Sequence, residues 1–434
     1  MSNLKIATAV ALALGGVSAA QAALPTTAAC AATTNDLYIA GSSAVQKALF
    51  TGLTQAGGPF AANGPAAYYK SSNGNFQMLC GFDASNNLVA VHYRAEGGSV
   101  VGALPLVAPQ HKIRFLDLTG SGLPAAVAYP GFASIPVAGS SAANGTNDSW
   151  GPTNTIQQFV DVGITDVEPA QFVGANYPSA YDKTVFGGTG TSANFASLTT
   201  TGLIDQVFGI FVNTSGINGG GTGQAINLTR EAVAGILDGT YTDWSQIPGA
   251  NGGVVSSTSK TITLVNREAG SGTRTQASIY FLDYGCAQTT RPIAETGAAD
   301  AFATSDALAG ANVPGGITYA SIDNAGAAGL SLASINGIAP TNLAATGGQY
   351  DDWYEARLIR ATNTTPPAPA LAIYTFLANT LPSVTKAPQA SDVLATPNVG
   401  GNVSAVPVAP VGATPIYINP YGRGGSSCGT PKKL

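Results

Sequence analysis

Residues 261–284, TITLVNREAGSGTRTQASIYFLDY, read in order as a strand, a glycine-broken turn and a helix. Ile262, Leu264 and Val265 make a short β-prone run, and residues 269–273 are too rich in Gly and Ser to extend it. Past the turn, Ala277, Tyr280, Phe281 and Tyr284 fall at i, i+3, i+4 and i+7, one apolar helix face, with Gly285 placed to end it. Ser271 and Thr273 therefore sit at a helix N-terminus. There the first backbone N–H groups lack intrahelical partners and the macrodipole is positive, so anions bind readily. Gly270 and Gly272 let a ligand approach the backbone, the two hydroxyls add donors, and Arg267 offers a planar fork suited to a tetrahedral oxyanion. The triplet SGT alone would fit an ordinary serine-capped helix equally well; Arg267 and the doubled glycine point to a ligand.

The same pattern recurs outward from this stretch. Residues 35–50 (NDLYIAGSSAVQKALF) give a strand at 37–40, then Gly41-Ser42-Ser43, then helical spacing in Val45, Ala48 and Leu49. Residues 86–102 (NNLVAVHYRAEGGSVVG) give a strand at 88–93 that breaks into Gly97-Gly98-Ser99. Residues 159–172 (FVDVGITDVEPAQF) give a strand at 160–164 ending at Thr165 and Asp166, with Pro169 suited to the first turn of a helix. An apolar strand follows at 207–213, then a helix over 228–239 capped by Thr229, with Glu231 in its first turn and Val233, Ile236 and Leu237 facing a core. Residues 314–322 predict another strand, and the run 371–377, after the prolines at 366–369, is β-prone. Within 103–155, an elaboration rich in Pro, Gly, Ser and Asn, one strand is predicted at 113–116. Strands alternating with helices predict an α/β protein with largely parallel sheets.

A chain of 434 residues can hold two or three domains. Residues 1–22 read as a signal peptide: Lys5, an apolar segment over 6–17, then Ala20-Gln21-Ala22 in the small-x-small form of a cleavage site near Ala22. That predicts a periplasmic or secreted protein. The segment is short for a membrane span, and no later run approaches about 18 uninterrupted apolar residues. Cys30, Cys80, Cys286 and Cys428 contain no C-x-x-C pair, which argues against zinc; an oxidising compartment favours two disulfides, and three pairings stay open. Charged residues make up 9% of the chain, against roughly 25% in average soluble proteins. The net charge of −5 supplies no basic patch for nucleic acid, so an anion would have to be held by local donors. His92 and His111 are the only histidines, neither lies in a carboxylate- or cysteine-rich motif, and G-x-S-x-G is absent. Neither catalysis, nor a bound metal, nor a cofactor is predicted.

Taken together, the chain resembles the phosphate-binding proteins of bacterial high-affinity phosphate ABC importers. The residues that carry the resemblance are RxxGSGT at 267–273, LTREAVAGILDGTYTDWSQIPG at 228–249, DVGITDVEP at 161–169, PGGITY at 314–319 and AGSSA at 40–44, all in family order. The resemblance implies a two-lobed periplasmic binding-protein fold of type II, each lobe a mostly parallel sheet flanked by helices and joined by a two-crossover hinge. One lobe is expected over 33–205, the other over 206–367, with 368–434 returning to the first and ending in a Pro/Gly-rich tail. The crossovers are expected near 204–207 and 366–370. Residue by residue, it implies that Arg267, Ser271, Gly272 and Thr273 donate to the ligand from one lobe, while Ser43, the backbone of Ala44, and Asp166 face it from the other, with Ser99 nearby. It implies inorganic phosphate as ligand, an inner-membrane ABC permease as partner and a monomer. Residues 103–155 and the long tail have no counterpart in the family.

Asp166 bears on which anion fits. A carboxylate in an anion site is unfavourable by a few kcal/mol unless it accepts a hydrogen bond. Phosphate and arsenate carry a proton to donate at neutral pH, and sulfate does not, so the aspartate would reject sulfate through an unpaired charge. Two alternatives use other features: a surface or matrix protein that keeps the fold for adhesion, suggested by low charge and the tail, and a secreted phosphatase.

Overall fold

The structure is a computed structural model, and it describes residues 23–72, 74–107, 112–137, 153–178, 195–249, 252–286, 290–296, 300–301, 304–361, 365–366, 368–381, 393–394, 419–424 and 426–433. Residues 1–22, where a signal peptide is expected, His111 and most of the Pro/Gly-rich tail lie outside the described residues. A mixed sheet of 12 strands runs through the molecule. At its centre Asp36–Gly41 is flanked in parallel by Leu88–Arg94 and Val162–Thr165. Leu37, Ile39, Val89, Val91, Val162 and Ile164 are fully buried there, as expected of strands covered on both faces. Phe76–Phe82 and Ala67–Ser71 continue the sheet antiparallel. Toward the other end of the sheet Thr263–Leu264 lies parallel to Gly316–Ser321.

Two long strands pair in the middle of the sheet. Leu198–Val212 is 15 residues long. Its first part pairs with Trp353–Ala361, and Phe208–Val212 pairs with Gly316–Ser321. Trp353–Ala361 runs antiparallel to both Leu198–Val212 and Val162–Thr165, with Arg357 opposite Thr165. The apolar run 207–213 marks only the second half of the long strand, because its beginning, LTTTG at 198–202, is polar and none of it is buried.

The run 371–377 is not a strand. Ala368–Thr375 is α-helical and continues as a short π-helix through Thr380. Ala370, Ile373 and Leu377 are fully buried, at spacings of three and four that place them on one helix face against Leu37, Ile39, Val91 and Leu358. Pro369 stands in the first turn, where its missing N–H is no loss. Tertiary packing outweighs the β-propensity of Ile373, Tyr374 and Phe376. After Pro169 only a 3-10 turn forms, Pro169–Gln171. In the 103–155 elaboration Ile113–Leu116 pairs with Thr155–Gln158, and Ala133–Ile135 extends the edge of the large sheet beside Ala67–Ser71. The disulfides are Cys30–Cys80 and Cys286–Cys428. Among the described residues no helix is long and apolar enough to cross a membrane.

Candidate functional site

The strand Asp36–Gly41 ends at a residue that must be glycine: Gly41 has φ +131°, and a Cβ there would stand 1.9 Å from the Ile164 carbonyl oxygen. This close approach lets Ser42 N–H donate to Ile164 O at 2.8 Å and aims the Ser42 hydroxyl at Asp166, just past the neighbouring strand. Ser42 Oγ donates to Asp166 Oδ1 and accepts from Ala44 N–H at 3.1 Å. Ser99, after the Leu88–Arg94 strand, donates from Oγ to Asp166 Oδ2 at 3.2 Å. Thr273 adds a side-chain hydrogen bond to the same carboxyl. Three hydroxyls from three separate segments thus converge on one carboxyl group, which is 2% exposed. Burial pushes the Asp166 pKa up, and the bonds from Ser42 and Ser99, then the charge of Arg267, hold it partly back.

The opposing wall is the turn that precedes helix Gly272–Leu282 and the start of that helix. Helix Gly272–Leu282 begins on Ser271, whose Oγ accepts from Arg274 N–H at 3.3 Å. Its N-terminus abuts the Asp166 cluster: a Cβ on Gly272 would lie 2.3 Å from Ser99 Oγ and 2.6 Å from Asp166 Oδ2. The two walls are also joined by Val100 N–H on Gly270 O and Gly270 N–H on Asn176 O, each 2.9 Å. Arg267 is 1% exposed and is held by Nε on Ala301 O at 3.2 Å and Nη1 on Thr304 Oγ1 at 2.9 Å, with its backbone N–H on the Tyr319 hydroxyl at 3.2 Å. Desolvation lowers its pKa, with Glu268, Tyr319 and Asp166 opposing that shift, and a guanidinium so placed stays charged. Behind it Arg274 donates to Arg267 O at 2.9 Å and is paired with Asp300 at 2.9 Å and Glu295 at 3.0 Å.

The structure brings Ser99, Asp166, Gly272 and Thr273 into direct contact. Of the serine pair it is Ser42 that contacts Asp166, because Gly41, at φ +131°, turns the first serine toward it. Ser43 Oγ turns to Thr304 Oγ1 at 3.1 Å, on the Arg267 side of the site. The Ala44 amide is spent on Ser42 Oγ, and Ser271 Oγ accepts from its own helix. Ser42, Thr304 and Tyr319 were not singled out by the sequence. Ser42 had a signal in the doublet 42–43 and Tyr319 closes PGGITY at 314–319, whereas Thr304 had none. His92 lies in a different setting, stacked on Tyr38 with ring centroids 4.5 Å apart and Nε2 3.0 Å from Asp36.

A family model described as the PBP superfamily domain matches residues 157–394, more than half of the chain. The chain belongs to the PBP superfamily. Among solved structures, this PBP-superfamily chain is similar to an ABC-type phosphate transport receptor from Vibrio cholerae, at 16% identity and a TM-score of 0.41 over 80% of this chain and 94% of that one. It is similar also to PstS from Borrelia burgdorferi, at 14% identity and a TM-score of 0.36 over 79% and 92% of the two chains. No curated protein matches it.

Proposed function

We propose that this PBP-superfamily protein is an exported, non-catalytic receptor that captures inorganic phosphate between its lobes and delivers it to an ABC permease. The observation that carries the reading is the buried Asp166 carboxyl, ringed by Ser42, Ser99 and Thr273 and pressed against the N-terminus of Gly272–Leu282. An anion entering this cluster competes with Asp166 for its hydroxyl donors. A carboxylate so deprived, inside a desolvated cleft, needs a new donor. Phosphate supplies one from its own P–OH, and so does arsenate; sulfate at neutral pH cannot. Ser43, the Ala44 backbone and Ser99 with Asp166 form the first-lobe wall, and Arg267, Ser271, Gly272 and Thr273 the second, with Ser42 added to the first.

In this reading the lobes hinge where the two long strands pass between them. One crossing lies near 204–207. We place the return at 351–353 rather than 366–370, since Trp353–Ala361 is already paired with Val162–Thr165 of the first lobe. Titration calorimetry on the mature chain tests the function. Phosphate and arsenate should bind, sulfate and molybdate should bind far more weakly, and Arg267→Ala should weaken phosphate by about 100-fold or more through loss of a charged, bidentate-capable donor. Absence of phosphate binding at millimolar concentration would overturn the proposal.

A further inference from the structure

Thr304 lies between a residue from each lobe, and its hydrogen bonds fix a direction. Its Oγ1 is 2.9 Å from Arg267 Nη1 and 3.1 Å from Ser43 Oγ. A guanidinium has donors only, so Arg267 makes Thr304 Oγ1 an acceptor. The Thr304 proton must then go elsewhere. Thr304 is 8% exposed, and a hydroxyl proton left unpaired in such a place is costly, so it is directed to Ser43 Oγ. Ser43 is only half-buried, and its own proton can point into the cleft. The chain of donors therefore runs from Arg267 through Thr304 to Ser43 and ends on an outward-facing O–H.

The bond also spans the hinge. Ser43 follows the first-lobe strand Asp36–Gly41, while Thr304 opens the helix Thr304–Ala311 of the second lobe. It can exist only when the lobes are together.

We infer that Thr304 is a positioning residue of the phosphate site, which it serves by orienting Arg267 and the Ser43 hydroxyl toward the anion and by latching the closed form. This rests on the phosphate reading above. Thr304→Val keeps the shape and removes the relay, whereas Thr304→Ser keeps the hydroxyl. Calorimetry and stopped-flow with inorganic phosphate should show Thr304→Val weakened by about 10- to 100-fold, mostly through faster dissociation, as for loss of a charge-assisted hydrogen bond. Thr304→Ser should stay within about threefold of the native protein, and Ser43→Ala combined with Thr304→Val should be little weaker than either alone, since both interrupt one chain. Native-like binding by Thr304→Val, or Thr304→Ser as weak as the valine variant, overturns the inference while leaving the phosphate reading intact. Should the valine variant fail to fold, the same decision falls to Thr304→Ser and to Ser43→Ala, which must lose about tenfold. A native protein that binds no phosphate defeats the underlying reading, and this inference with it.

Discussion

Asp166 and Gly272 lie against each other in the candidate site, and each invites a different substitution. Asp166→Asn removes the charge and replaces it with an amide able to donate to an anion. Sulfate binding should rise by at least about tenfold, because the repulsion and the unpaired acceptor are both gone, while phosphate loses its proton acceptor and weakens. Since burial raises the Asp166 pKa, the native protein should also bind sulfate better as pH falls and the carboxyl becomes a donor; the asparagine variant should lack that trend. Sulfate titrations of both proteins across acidic to neutral pH decide it, and an asparagine variant that still excludes sulfate would show that rejection lies elsewhere. Gly272 tolerates no side chain in the closed form, given the 2.3 Å and 2.6 Å separations from Ser99 and Asp166. Gly272 stood out in the glycine-broken turn before a helix, whereas Asp166 was singled out through the resemblance at 161–169, since by itself it could equally cap a helix. Ser42 could not be told from Ser43, because the choice depends on the backbone angle of Gly41, and Thr304 could not be found, because its role arises from a contact 261 residues away along the chain.

The elements built on strong periodicity were legible before the structure: Leu88–Arg94, Arg230–Leu237 on its Thr229 cap, and Gly272–Leu282 on Ser271. The polar start of Leu198–Val212 and the helix Ala368–Thr375 were not, since partner strands and core packing decide them. Nor could the sequence show what the end of the tail does. Asn419 Nδ2 donates to Asp205 Oδ2 at 2.7 Å, and Arg423 donates from Nε to Trp353 O at 3.0 Å while lying over the rings of Trp353 and Tyr354. Ser427 N–H donates to the Glu168 carboxylate at 2.9 Å, and Cys428 is bonded to Cys286 just beyond helix Gly272–Leu282. The segment therefore touches both long strands, the loop after Val162–Thr165 and the turn just past helix Gly272–Leu282. Replacing Cys286 and Cys428 together by serine opens a loop with a sequence separation of 142. Chain entropy sets the loss at up to about 5 kcal/mol. Urea unfolding should show that loss as a lower midpoint, with the phosphate affinity of the folded protein also altered if the tail restrains the hinge. Unchanged stability would mean that the noncovalent contacts of Asn419 and Arg423 hold the tail alone.

Charge is scarce in this molecule, at 9% of residues, yet several of its carboxyls are buried. Burial pushes Asp205 and Asp352 well up from 3.8 and Glu268 well up from 4.5; repulsion from Glu355 adds to the shift at Asp205, and repulsion from Asp351 to that at Asp352. A carboxyl whose folded pKa is raised holds its proton in the native state after the unfolded chain has released it. Its contribution is complete below the unfolded value and is lost as pH rises through the folded one, at up to about 1.4 kcal/mol per pH unit for each group. Asp238 and Asp243 act in the opposite sense, since hydrogen bonds lower their pKa values and that stabilisation fades as pH falls below 3.8. Unfolding free energy should therefore decline from mildly acidic pH toward neutrality. Asp352 isolates the effect: it is 1% exposed, accepts from Gln276 Nε2, and lies near Arg423, Arg230 and Asp351. In Asp352→Asn the amide oxygen can still accept from Gln276, and one raised group is gone. Its stability curve should be flatter than that of the native chain by the titration of one proton, with the two proteins diverging as pH rises above about 4. Curves that stay parallel from pH 4 to 8 would show that Asp352 is ionised in the fold and that Arg423 and Arg230 outweigh its burial.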